Sequence, residues 1–168
     1  MIRLRLVLPG FCMAVLCMLM LSTALVPAPV RAEITAPYSG TVTVATDKPF
    51  GSFVKALSGA IKARGFNIVG LACATCAAQS QGVTIPGNRV FLFFKPAYAV
   101  RMLAASEAAG IEAPIRLYVT EAGDGMAAVT YRLPSHVFGA YQVPALDVLG
   151  AELDADVEAV LSAAKAGS

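Results

Sequence analysis

Between Gly87 and Pro96 the chain runs Asn88-Arg89-Val90-Phe91-Leu92-Phe93-Phe94-Lys95, and its middle, Val90 to Phe94, holds no polar residue. Short, rich in β-favouring side chains and bracketed by Gly87 and Pro96, this run reads as a central strand buried on both faces. The remaining segments are read around it. Thr41 to Thr46 alternates strictly, as a half-buried strand does. Pro49 suits a first helical turn, where its missing N–H is no loss, and Phe50, Phe53, Val54, Leu57 and Ile61 then recur at helical spacing. Lys55, Lys62 and Arg64 lie off that stripe, and Gly65 is the expected stop. A second strand spans Phe66 to Ala72. Pro96 opens a helix carrying Ala99, Met102 and Leu103 and closed by Gly110. Pro114 to Glu121 alternates again, Ala122 to Gly125 turns, and Met126 to Arg132 returns as a hairpin partner. A last amphipathic helix is expected around Leu153, Val157, Val160 and Leu161, with Glu152, Asp154 and Asp156 in its first turn, where the helix dipole favours acids. The order β-α-β-β-α-β-β-α predicts a single α+β domain over residues 41–166, its helices covering one face of a mainly antiparallel or mixed sheet.

Residues 1–32 read as a signal peptide: Arg3 and Arg5 precede a long apolar run, and Val30-Arg31-Ala32 supplies small residues at the cleavage positions. An uncleaved anchor is the alternative, against which stands the Pro27-Ala28-Pro29 break. Residues 33–40 form an N-terminal arm. The whole chain has 13 basic and 11 acidic residues, and removal of Arg3, Arg5 and Arg31 leaves the mature part near neutrality. Without a basic run it has no electrostatic footprint for nucleic acid or an anionic membrane surface, and no stable membrane insertion is expected once the leader is gone. The predicted location is the periplasm or the exterior.

The leader takes Cys12 and Cys17 with it, leaving Cys73 and Cys76 in Gly70-Leu71-Ala72-Cys73-Ala74-Thr75-Cys76-Ala77. In an exported protein an even pair is expected to oxidise to a disulfide. In a continuing strand the two would lie about 10 Å apart, against the roughly 7 Å that a disulfide permits, so cooperation requires the strand to end near Ala72 and the chain to turn. Three uses stay open: a staple, a soft-metal clamp for copper or zinc, and a thiol–disulfide redox pair. The segment is similar to the copper(I) loop of heavy-metal-associated domains, although Leu71 stands where a methionine is usual. Ala113-Pro114-Ile115 mimics the proline step of thioredoxin-like folds, but the element order is wrong for one. His136, the one histidine, would complete a Cys₂His set, and a surface or capping role is its ordinary alternative. Met102 and Met126 are thioether donors by type and core residues by placement. Arg116 and Arg132, on the two hairpin strands, become an anion contact if the register sets them side by side; a register pairing Arg116 with Tyr131 would leave both simply solvated. There is no nucleophile elbow, phosphate-binding glycine loop or cluster of hard-metal ligands, so no hydrolytic, nucleotide-dependent or hard-metal mechanism has its full set of parts.

Several short signatures, taken together, resemble the bacterial domain of unknown function family 302: the Phe50 to Gly65 helix after the first strand, Phe93-Phe94-Lys95-Pro96, Ala113-Pro114-Ile115-Arg116-Leu117-Tyr118-Val119 before an acidic glycine turn, and Val129-Thr130-Tyr131-Arg132-Leu133-Pro134-Ser135. The resemblance spans about residues 40 to 165. It implies a small domain with a TATA-binding-protein-like sheet and helices on one face, dimeric in some members, with no activity established and no catalytic residue to carry over. The Cys73–Cys76 pair is an addition to that pattern. The expectation is therefore an exported, non-enzymatic module that binds a small ligand or protein partner and self-associates as a homodimer through a sheet edge or helix face. The alternative is a thiol-based metal or redox protein working through Cys73 and Cys76.

Overall fold

The structure, a computed structural model, describes residues 38–167. The expected leader, with Cys12 and Cys17, and residues 33–37 of the arm lie outside the described residues. Among the described residues eleven elements follow one another: β1 Thr41–Pro49, α1 Phe50–Ala63, β2 Asn67–Ala72, α2 Ala74–Ser80, β3 Asn88–Phe94, α3 Pro96–Ala105, a 3-10 turn Glu107–Glu112, β4 Ile115–Glu121, β5 Met126–Arg132, α4 Pro134–Gly139 and α5 Pro144–Ala166. The described strands form one open antiparallel sheet in the order β1-β5-β4-β3-β2, so β3, β4 and β5 are interior and β1 and β2 are the edges.

Helix α1 forms where the apolar stripe says it should. Phe53, Leu57 and Ile61, spaced by four, are each fully buried, and Lys55, Lys62 and Arg64 are exposed. Gly65 adopts φ +76° beyond the cap, and the Phe66 N–H returns to the Ile61 carbonyl, which drives the Phe66 ring into the core. Against this helix and α5 pack Phe91 and Phe93 of β3, Leu117 and Val119 of β4 and Val129 of β5.

The central strand departs from expectation on one face. Phe91 and Phe93 are buried, whereas Val90, Leu92 and Phe94 point to the opposite side and keep partial exposure, because the main helices all lie on one face of an antiparallel sheet. Neighbours shield that uncovered side instead. Leu92 lies across Gly70 on β2, where a Cβ would come within 2.9 Å of its Cδ1 atom.

Two helices differ from their predicted bounds. Helix α3 ends at Ala105 rather than Gly110, since Ser106 turns extended and a 3-10 turn inserts Ala109 into the core. Helix α5 begins at Pro144, a full two turns before Glu152, so its first turn carries Asp147. Glu152, Asp154 and Asp156 serve neighbouring elements rather than the helix dipole. Glu152 receives both guanidinium nitrogens of Arg101 at 2.6 and 3.0 Å, Asp154 accepts the Ser135 N–H at 3.0 Å, and Asp156 takes Lys95 at 3.0 Å and the Tyr98 hydroxyl at 2.9 Å. None of the helices among the described residues is long and apolar enough to cross a membrane.

Candidate functional site

Candidate chemistry gathers at two opposite ends of the sheet. At one end, β2 stops at Ala72 and Cys73 takes extended backbone as the cap of α2, with Cys76 in its first turn. The turn brings the two Cα atoms to 5.2 Å, and the sulfurs sit at bonding distance. The Cys76 N–H donates to Cys73 Sγ at 2.9 Å, and the Thr75 hydroxyl ties the turn to the Pro86 carbonyl at 3.2 Å. Cys76 is exposed, Cys73 is half-buried, and α2 has no buried residue.

The other sequence candidates are not gathered around this pair. Ala72 is level with Val90 near the start of β3, while His136 follows Arg132 at the far end of the sheet, in α4, where its ring occupies the space that a side chain on Gly40 would need. Pro114 also sits at that far end, one residue before Ile115 and its partner Phe93, so it does not face the cysteines. Met102 is buried in the core, and Met126 is on β5, separated from β2 by two strands. Among the described residues no three His, Cys, Asp or Glu side chains converge to hold a metal. A tetrahedral zinc site needs more ligands than two cysteines provide, and once reduced the pair alone suits only an ion content with two soft donors, such as copper(I).

At the far end the hairpin register decides the arginines. Tyr118 pairs with Thr130 and Val119 with Val129. The same register, continued past Tyr118, sets Arg116 opposite Arg132 rather than Tyr131, but there the ladder has ended. Ile115 and Arg116 remain paired with β3, and Tyr131 and Arg132 with β1, while the two middle strands no longer pair with each other. Like charges set directly across two strands repel, which is a physical reason for the ladder to stop at this point. A groove of about 430 Å³ opens there, with Arg116, Arg132, Tyr118 and Thr130 on its open-face side and Phe138 and the 3-10 turn on the other. Arg132 also stacks near Tyr38, 5.5 Å from the ring centre.

Among the described residues the groove contains one carboxylate, Glu112, whose Oε1 accepts the Tyr141 hydroxyl at 3.0 Å. Desolvation, followed by that hydrogen bond and the nearby negative charge, raises the Tyr141 pKa above its ordinary value, so the hydroxyl stays a donor. Glu112, Tyr118 and Tyr141 escaped the sequence reading. The alternation of β4 marked Tyr118 as outward-facing, but nothing local indicated that a 3-10 turn would deliver Glu112 to the same groove.

The model of the family described as "Domain of unknown function DUF302" matches residues 42–164. A solved structure, described as an uncharacterized conserved protein DUF302 from Bacillus stearothermophilus, superimposes with a TM-score of 0.67 at 21% identity, covering 74% of this chain and 98% of that one. That likeness bears on the fold alone. No curated protein matches the chain. The family match starts in the first strand and runs to the last turn of the last helix, taking in the whole sheet and its helical cover, and on that ground the chain belongs to the DUF302 family.

Proposed function

We propose that the mature chain is an exported, non-enzymatic module, periplasmic or secreted, that holds a small anionic ligand in the split between β4 and β5. One observation carries this reading. Arg116 and Arg132 line the same groove, and among the described residues neither has a carboxylate in ion-pair distance. A carboxylate or phosphate group between two guanidinium forks converts their mutual repulsion into attraction on both sides. Backbone groups without a ladder partner across the gap add donors, and Ile111 and Val137 offer an apolar wall for a short hydrocarbon body. Among the described residues the groove holds no histidine, and Tyr141 already engages the Glu112 carboxylate there, which supports binding without turnover.

Calorimetric titration of the purified mature protein at low ionic strength, with hexanoate and inorganic phosphate as separate probes, tests the reading. At least one probe is expected to bind once per chain, and to bind tenfold or more weakly to Arg116→Ala and to Arg132→Ala. Equal affinity in the variants, or no heat from either probe, sinks the proposal. Export has its own check: protein released by osmotic shock should begin at Glu33. A second reading, thiol chemistry at Cys73 and Cys76, is favoured by the exposure of Cys76 and stands independently of the groove.

A further inference from the structure

The disulfide between Cys73 and Cys76 joins residues three apart that already share one turn, and α2 buries nothing. It therefore ties no distant elements together, and its value as a staple is confined to a surface turn. Its surroundings are distinctive. From Gly65 to Asn88 the chain carries no charged residue, and within that stretch Val69, Leu71 and Val83 are each more than half exposed. Bare apolar side chains beside an accessible disulfide, on a stretch of chain with no charge of its own, fit contact with another protein better than contact with a charged small molecule.

We propose that Cys73–Cys76 is a thiol–disulfide exchange site that accepts two electrons from an exposed dithiol on a partner protein. The two sulfurs have different roles. Cys76 is the more exposed of the two, so the partner's thiolate attacks Cys76 Sγ. The Cys73–Cys76 bond breaks, a mixed disulfide forms between Cys76 and the partner, and Cys73 leaves as a thiolate. The Cys76 N–H, 2.9 Å from Cys73 Sγ, stabilises that departing charge, and a better-stabilised thiolate leaves faster. Cys73 then takes a proton from water. The partner's second thiolate attacks its own sulfur in the mixed disulfide, closing the partner's disulfide and releasing Cys76 as a thiolate, which is also protonated. The partner loses two electrons and two protons, and this chain gains them as two thiols.

The test uses the oxidised mature protein. Treated with dithiothreitol without denaturant, it is expected to lose the disulfide completely within minutes while keeping its far-UV circular dichroism and a cooperative thermal transition. Treated briefly with reduced glutathione, quenched in acid, alkylated and mapped by mass spectrometry, it is expected to carry glutathione on Cys76 at least tenfold more often than on Cys73. The Cys73→Ser variant, which retains Cys76, should form a stable mixed disulfide with oxidised glutathione, whereas Cys76→Ser should do so at least tenfold more slowly. Reduction that requires denaturant, loss of the fold on reduction, or glutathione mainly on Cys73 would each overturn the assignment.

Discussion

At Gly150 the gap between α4 and α5 closes to backbone contact: a Cβ there would lie 2.7 Å from the Ser135 Cα atom and 3.1 Å from the Pro134 carbonyl oxygen. Replacing glycine by alanine inside a helix ordinarily gains up to about 1 kcal/mol. Here the added methyl meets backbone that has no rotamer to escape into, so Gly150→Ala is expected to destabilise by about 1–3 kcal/mol in urea unfolding. Phe93→Ala, which empties a fully buried site beneath the Phe66 ring, should cost about 3–5 kcal/mol in the same measurement. The Arg101–Glu152 pair is an exposed contact with a readable pH dependence. Its hydrogen bond to Arg101, reinforced by charge attraction, lowers the Glu152 pKa. A lowered folded-state pKa means the stabilisation is present above the unfolded value of about 4.3 and disappears as pH falls through the folded one. Thermal melts of native protein and Glu152→Gln should therefore differ slightly at neutral pH and converge in acid, and the neutral-pH difference should shrink in high salt.

Among the elements, local periodicity was sufficient where a helix or strand answers to a single partner surface. The stripe of Phe53, Leu57 and Ile61 and the glycine stop at Gly65 describe α1 almost to the residue, and the alternation of Pro114 to Glu121 describes β4. It fell short where a residue answers to two. Glu152, Asp154 and Asp156 look like a helix start because acids favour one, yet each is claimed by a different neighbour, and only the tertiary fold reveals Arg101, Ser135 and Lys95 as their partners. The unbroken Val90 to Phe94 run looked doubly buried because its outward half is apolar, and apolar composition does not report which face the helices choose. Of the two sites, the turn at Cys73 followed from disulfide geometry, whereas the arginine groove depended on a hairpin register that the Ala122 to Gly125 turn left ambiguous by one residue. Helix α2 offers an element-scale prediction. The Cys73→Ser, Cys76→Ser double variant should lose no more than about 2 kcal/mol in urea unfolding, the chain-entropy limit for so short a loop.

On the scale of the molecule, one core joins α1, α5 and three strands of the sheet, so urea unfolding followed by circular dichroism and by tyrosine fluorescence should give coincident transitions. The family's fold is thus present in full, with its two candidate sites hung at opposite ends of a single rigid sheet. The irregularities in its edge strands bear on behaviour in a crowded compartment. Both β1 and β2 break register, between Ala45 and Pro49 and between Ile68 and Gly70, with Asp47 at φ +53° in the first and Val69 unpaired in the second. A flat, regular edge is a template on which another chain can add a strand, and a bulge spoils the template by twisting it. Deleting Val69 would straighten β2 beside exposed Leu71, and the variant should gain thioflavin-positive fibres on prolonged warm incubation where the native chain gains none. The two kinks make both edges poor templates for polymerisation.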